Sequence, residues 1–246
     1  MIERQIILET RDGAMSTFIC HPERAGDFPV LLIFMDAPGI REELRDMARR
    51  LGTVGYYVML PNLYYRADVE ELGSTVGEQN AATRARALQL MTTIDVPMVS
   101  ADTGTLLAFA RADPRAGRGP AGCVGYCMSG RYAIAAAAHH AQRVRAAASI
   151  YGTALVTDEA DSPHRLAGRL NTPCYFACAE HDAYMPLDRV DALRSTLQEA
   201  ACVEVELYAG VHHGFAFPSR PAYDKAAAER HWERLFHLFG TALRST

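Results

Sequence analysis

Lysine is nearly absent from this chain, with Lys225 its only representative. That excludes a Walker-type phosphate loop, which closes on Gly-Lys-Ser/Thr, and any lysine chemistry that Lys225 does not supply. A basic excess is missing too. Lys plus Arg number 25 against 29 Asp plus Glu, a formal charge of −4, so the positive footprint that a nucleic-acid backbone requires is lacking. Long apolar runs are absent, since Val30–Met35 and Ala133–Ala138 fall far short of the ~18 residues that span a bilayer. The first residues, Met1-Ile2-Glu3-Arg4-Gln5, are charged at once and lead into no signal-type stretch. The expectation is a cytoplasmic protein, monomer or homodimer, with a small-molecule partner and neither nucleic-acid nor membrane partners.

No Cys-x-x-Cys occurs among the six cysteines, which argues against a thioredoxin-like redox motif or a zinc ribbon. Cys174, Cys178 and His181 resemble a ligand cluster only on paper. In a strand over Thr172–Ala179 four residues span about 13 Å, too far for one metal to bridge both thiols. Cys20, Cys123, Cys174, Cys178 and Cys202 read as small core or packing residues. No metal and no cofactor is expected.

What is present is ordinary globular composition, 49% hydrophobic and 22% charged over 246 residues, enough to bury a full core without staples. Short apolar runs alternate with helical periodicity. Val30–Met35, Tyr56–Leu60, Gly122–Tyr126, Ala146–Tyr151 and Pro173–Ala179 read as buried strands, and Val203–Tyr208 as a further strand. Leu44, Met47, Ala48 and Leu51 repeat at helical spacing, as do Val190, Leu193 and Leu197, and Trp232, Leu235, Phe236 and Phe239. Arg131–His140 reads as an alanine-rich helix, and a polar loop from about 66 precedes a helix over Asn80–Thr92. Gln5–Glu9 and Met15–Cys20 flank Arg11-Asp12-Gly13, a hairpin signal. The sum is one α/β domain over 1–246: a mostly parallel sheet of about eight strands, helices on both faces, and an antiparallel N-terminal edge. Gly117-x-Gly119-x-x-Gly122 matches a dinucleotide fingerprint in letters, but it precedes a strand, contains Pro120 and opens no helix; it reads as a loop.

Chemistry concentrates at Gly125-Tyr126-Cys127-Met128-Ser129-Gly130, where a buried strand turns into a helix. Small-x-nucleophile-x-small is the pattern of a nucleophile elbow, because strand and helix approach closely only past small residues. The helix N-terminus it faces favours a thiolate. In this fold class the acid and the base follow at the carboxyl ends of later strands. Glu180-His181-Asp182-Ala183-Tyr184-Met185-Pro186 follows one such strand, and Ala209-Gly210-Val211-His212-His213-Gly214-Phe215 another. His139, His140, His231 and His237 sit on helices and read as surface or packing residues.

With these motifs together, Gly-Tyr-Cys-x-x-Gly, His-Asp-x-x-x-Pro and His-Gly-Phe-Ala, the chain resembles the dienelactone hydrolase family of α/β hydrolases. Asp36-Ala37-Pro38-Gly39-Ile40, Pro61-Asn62-Leu63-Tyr64 and Ser149-Ile150-Tyr151-Gly152 extend the likeness over roughly residues 5–240. The resemblance implies cofactor-free hydrolysis of a carboxylic ester or lactone through a Cys-His-Asp triad, of the carboxymethylenebutenolidase type. It makes Cys127 the nucleophile and His213, which precedes a small residue and Phe, the base in preference to His212. Asp182, by its spacing to Met185-Pro186, is the orienting acid in preference to Glu180. Backbone N–H groups of Ala37 and Met128 become the oxyanion donors. Family members carry a glutamate where Asp36 stands, which assists thiol deprotonation. They also carry two arginines for a substrate carboxylate. Arg84 matches one; Phe217 occupies the place of the other, with Arg220 out of register. A more apolar or differently charged substrate follows, with Tyr151 and Phe217 lining its pocket. Set against this are a non-catalytic binding module on the same fold and a thiol-redox protein.

Overall fold

The computed structural model describes residues 1–73 and 80–244, with Ala167 described by its backbone alone. Its eight strands form one sheet in the order β1-β2-β4-β3-β5-β6-β7-β8, accompanied by six α-helices among the described residues. The expected α/β-hydrolase architecture, mostly parallel with an antiparallel edge, is present. None of the described helices is long and apolar enough to cross a membrane. The chain divides into two compact units, Met1–Ala121 and Gly122–Thr246.

The first unit opens with the antiparallel pair β1 (Ile2–Thr10) and β2 (Gly13–His21), closed by the Thr10–Gly13 pairing. Gly13 takes φ 135°, a conformation open to glycine and strained for other residues. Strand β2 runs antiparallel to β4 (Tyr57–Pro61), and β4 runs parallel to β3 (Phe28–Phe34). Both β3 and β4 are buried almost throughout, as their unbroken apolar runs require. Helix α1 (Glu42–Thr53) buries Leu44, Met47, Ala48 and Leu51, the predicted stripe. Helix α2 (Ala81–Met91) starts where expected, with the Asn80 side chain accepting from the N–H groups of Ala82 and Thr83. Residues 74–79 of the polar loop expected before it lie outside the described residues.

Two elements differ from expectation. Helix α3 (Val96–Ala112) was not foreseen, although Asp95 caps it and Pro97 lies in its first turn. Its threonines and small residues give no sharp apolar stripe. Strand β5 (Ala116–Tyr126) begins six residues early, so the Gly117–Gly122 segment is strand rather than loop. The reason is close packing: a Cβ at Gly117 would lie 3.0 Å from the Phe28 carbonyl oxygen. The glycine there admits a neighbouring backbone.

In the second unit, α4 (Gly130–His139) follows β5 and is buried along most of its alanine-rich length. Strands β6 (Val144–Ile150), β7 (Cys174–His181) and β8 (Val203–His212) pair in parallel, Ala147 with Cys174 and Cys174 with Val203. Helix α5 (Leu187–Leu197) buries Val190, Leu193 and Leu197; α6 (Lys225–Leu243) buries Trp232, Leu235 and Phe239 and leaves Phe236 half-buried. Cys123, Cys174 and Cys178 are core residues, and burial pushes each of their thiols up. The β7–β8 ladder ends on the pair His181–His212. Asp182 and His213 therefore lie side by side, one residue past the end of the ladder.

Candidate active site

The turn that carries Cys127 is tight because everything around it is small. Cys127 has φ 54°, a left-handed conformation that a side chain adopts under strain. A Cβ on Gly125 would lie 2.0 Å from the Ser129 carbonyl oxygen, so only glycine fits there. On the helix side, a Cβ on Gly130 would meet the Ser149 hydroxyl at 2.3 Å and the Gly152 Cα at 2.6 Å. The Ser149–Gly152 segment thus packs directly against the start of α4, and Thr153 N–H donates to the Cys127 carbonyl at 3.0 Å. Cys127 itself is half-buried. It begins a single 3-10 turn leading into α4, whose N-terminal dipole favours negative charge.

Two loops bring the partners. Asp182 is buried, and its Oδ1 accepts from the N–H groups of Tyr184 (2.8 Å) and Met185 (3.3 Å). Its Oδ2 lies 2.7 Å from His213 Nδ1. The Cys127 side chain lies close enough to the same ring to favour its charged form. Burial works against charging this ring, but Asp182 and then Cys127 prevail, raising its pKa from 6.5 to about 10. Asp182 and Cys127 therefore both act on the His213 ring.

Competing residues have other occupations. His212 is exposed at the end of β8, its ring 4.9 Å from that of His181. The Glu180 carboxylate accepts the Gly210 N–H at 2.6 Å, a strand-end contact. His231 is buried and packs on Tyr126 and Trp232. No three His, Cys, Asp or Glu side chains gather as metal ligands among the described residues.

The remaining expected residues fall into different settings. Tyr151 is buried, with φ 37° and its ring 5.0 Å from that of His213. Phe217 is fully buried against Tyr126 and Tyr151, at 5.4 and 6.2 Å between ring centroids, with the Arg220 guanidinium 5.9 Å over it. It shapes the surroundings of His213 through Tyr151. In the first unit, Arg84 is exposed on α2. Ala37 is half-buried, and its carbonyl accepts the Tyr64 hydroxyl at 2.9 Å. Met128 is buried in the second unit.

Sequence reasoning missed Arg41 and Tyr184. Arg41 is 1% exposed and grips Asp36 through both terminal nitrogens, at 2.5 and 3.2 Å, while also reaching Glu43. Burial acts against its charge, but Asp36 and Glu43 outweigh that and raise its already high pKa. An arginine directly before Glu42-Glu43 reads as solvated, and nothing local signals otherwise. Tyr184, 46% exposed, holds its ring 4.9 Å from that of His213. Its place two residues after the acid was the available signal.

A largely parallel sheet with a cysteine on a strained strand-to-helix turn, and an acid and a histidine past the next strands, defines a protein of the α/β-hydrolase class. The particular family follows. The sequence profile of the dienelactone hydrolase family matches residues 15–243, and the chain belongs to that family as a dienelactone-hydrolase-like hydrolase. A Methylorubrum extorquens protein provisionally named carboxymethylenebutenolidase is 26% identical, over 98% of this chain and 83% of its own length. One of the same provisional name from Escherichia coli K12 is 29% identical over 92% and 82%. Among solved structures, a provisionally assigned dienelactone hydrolase from Klebsiella pneumoniae superposes with a TM-score of 0.84. It is 26% identical and is covered over 98% of its length by 97% of this chain.

Proposed function

We propose that residues 1–246 act as one hydrolase domain that cleaves a small carboxylic ester or lactone through a thioester on Cys127. The observation that carries this is the imidazole of His213, bonded to Asp182 at 2.7 Å and favoured in its charged form by Asp182 and Cys127 together. With its pKa near 10, His213 is protonated at neutral pH and stands ready as an acid. The Cys127 thiolate attacks the carbonyl carbon, and the oxyanion is held by the N–H of Met128 together with that of Ala37, the second donor of the resemblance. Collapse breaks the carbon–oxygen bond as His213 gives its proton to the leaving oxygen. In a lactone, that oxygen stays tethered to the acyl group.

Acylation of the sulfur removes one of the two partners that raise His213. The ring's pKa then falls towards neutrality, so it parts with its proton more readily and stays neutral, free for its second task of taking a proton from the water that attacks the thioester. Asp182 holds the tautomer throughout. The resemblance gives Asp36, which Arg41 fixes, the part of an auxiliary carboxylate.

Two features favour an apolar substrate over one recognised through a carboxylate. Phe217 stands where the resemblance places an arginine, and it is buried among aromatic rings. The other matched arginine, Arg84, is exposed. The test is hydrolysis of p-nitrophenyl acetate with mass spectrometry of the acid-quenched enzyme. Wild type should carry an acetyl group on Cys127, and Cys127→Ala should lose turnover by about three orders of magnitude or more. Retained turnover in Cys127→Ala would reject the mechanism.

A further inference from the structure

Among the described residues of the second unit, two large apolar side chains are prominently exposed, Tyr184 at 46% and Leu187 at 45%. They stand three residues apart on the loop that carries Asp182 and leads into α5. Exposed apolar surface on a soluble domain is normally scattered. Here it is confined to the segment that orients the histidine. Tyr184 is also held there: its N–H donates to Asp182 Oδ1 at 2.8 Å, the carboxylate that positions His213 through Oδ2. Its ring stands 4.9 Å from the imidazole, inclined at 61°.

We propose that Tyr184, with Leu187 beside it in sequence, is a specificity-determining residue that contacts the alcohol portion of the substrate and selects esters with an apolar or aromatic leaving group. The proposal rests on the hydrolase reading above. In that reaction the leaving oxygen must come within about 3 Å of the histidine that protonates it. A ring in van der Waals contact with His213 therefore meets whatever is bonded to that oxygen. The acyl carbon is meanwhile attached to the Cys127 sulfur, so the contact falls on the alcohol side. An aromatic leaving group stacks on a tyrosine ring; a small polar one has nothing there to bury.

The experiment compares phenyl acetate with 2,2,2-trifluoroethyl acetate, which share an acyl group and hence a thioester. Tyr184→Ala should raise KM for phenyl acetate about tenfold, with a much smaller change on the trifluoroethyl ester. The rate of thioester hydrolysis and the pH profile of kcat should remain those of wild type. Tyr184→Phe should restore the phenyl preference. Equal losses on both esters, or a shifted pH profile, would overturn the proposal by making Tyr184 a support for His213. Binding of p-nitrophenol to Cys127→Ala, which requires no turnover, separates this from failure of the mechanism. Adding Tyr184→Ala to that variant should weaken binding about tenfold, and unchanged binding would overturn the proposal even if Cys127 is the nucleophile.

Discussion

Asp36 and Asp182 are both buried carboxylates in loops that follow parallel strands, yet their partners differ in kind. Asp36 is gripped by Arg41, a group that stays charged at every pH a protein survives. Asp182 is bonded to His213, a group able to gain and lose a proton, and to two backbone N–H groups that fix its orientation. The first arrangement is an electrostatic clamp; the second, in the proposed mechanism, is a proton-handling device. Burial and residue type are shared, so the partner decides which one a carboxylate becomes.

The largest effect should come from breaking the second arrangement. Asp182→Asn removes the charge that stabilises the imidazolium and, through its amide, favours the wrong tautomer. Steady-state kinetics on p-nitrophenyl acetate should show kcat/KM lower by about 10³–10⁴-fold, with a fold still cooperative by circular dichroism. Asp36→Asn should lower kcat/KM far less than that. Comparable losses in the two variants would erase the distinction between clamp and proton device.

Breaking the clamp should instead register as stability. Arg41→Met leaves the Asp36 carboxylate buried without its cation, which by analogy with buried pairs costs about 3–5 kcal/mol. In a chain of this size that is a fall in Tm of roughly 6–20 °C. Replacing both partners, as Arg41→Met with Asp36→Leu, should recover part of the loss, because no charge is then stranded. If Arg41→Met melted like wild type in calorimetry, the ion pair would be incidental.

How much of this was visible beforehand depends on how local each signal is. The Cys127 turn was legible because its requirement is steric and contiguous: Gly125 and Gly130 stand where a Cβ would strike Ser129 and Ser149. Asp182 and His213 were legible because strand ends are easy to find and each loop offers few candidates. Choosing His213 over His212 needed the family likeness as well as the residues. The Arg41–Asp36 clamp was invisible, because a charged residue ahead of an acidic helix start carries no mark of burial; the fold creates that environment. Helix α3 was missed since helices packed on several sides lose their periodicity. The glycines of β5 misled because close strand packing and loop flexibility use the same residue.

The remaining effect is in the pH dependence of stability, and it reports on the two partners of His213 separately. The folded-state pKa, about 10, lies above the unfolded value near 6.5. Between these values the folded protein holds a proton that the unfolded chain has released, so stability falls as pH rises. The contribution is complete below about pH 6.5 and gone once pH passes about 10. Tm measured at pH 6 and pH 9.5 should therefore drop more in wild type than in His213→Gln, which has no proton to hold. Asp182 precedes Cys127 among the groups that raise this pKa. Asp182→Asn should accordingly flatten the slope more than Cys127→Ser does. A slope unchanged in all three variants would mean that the imidazolium is not held by these contacts, and that Asp182 does not handle the proton of His213.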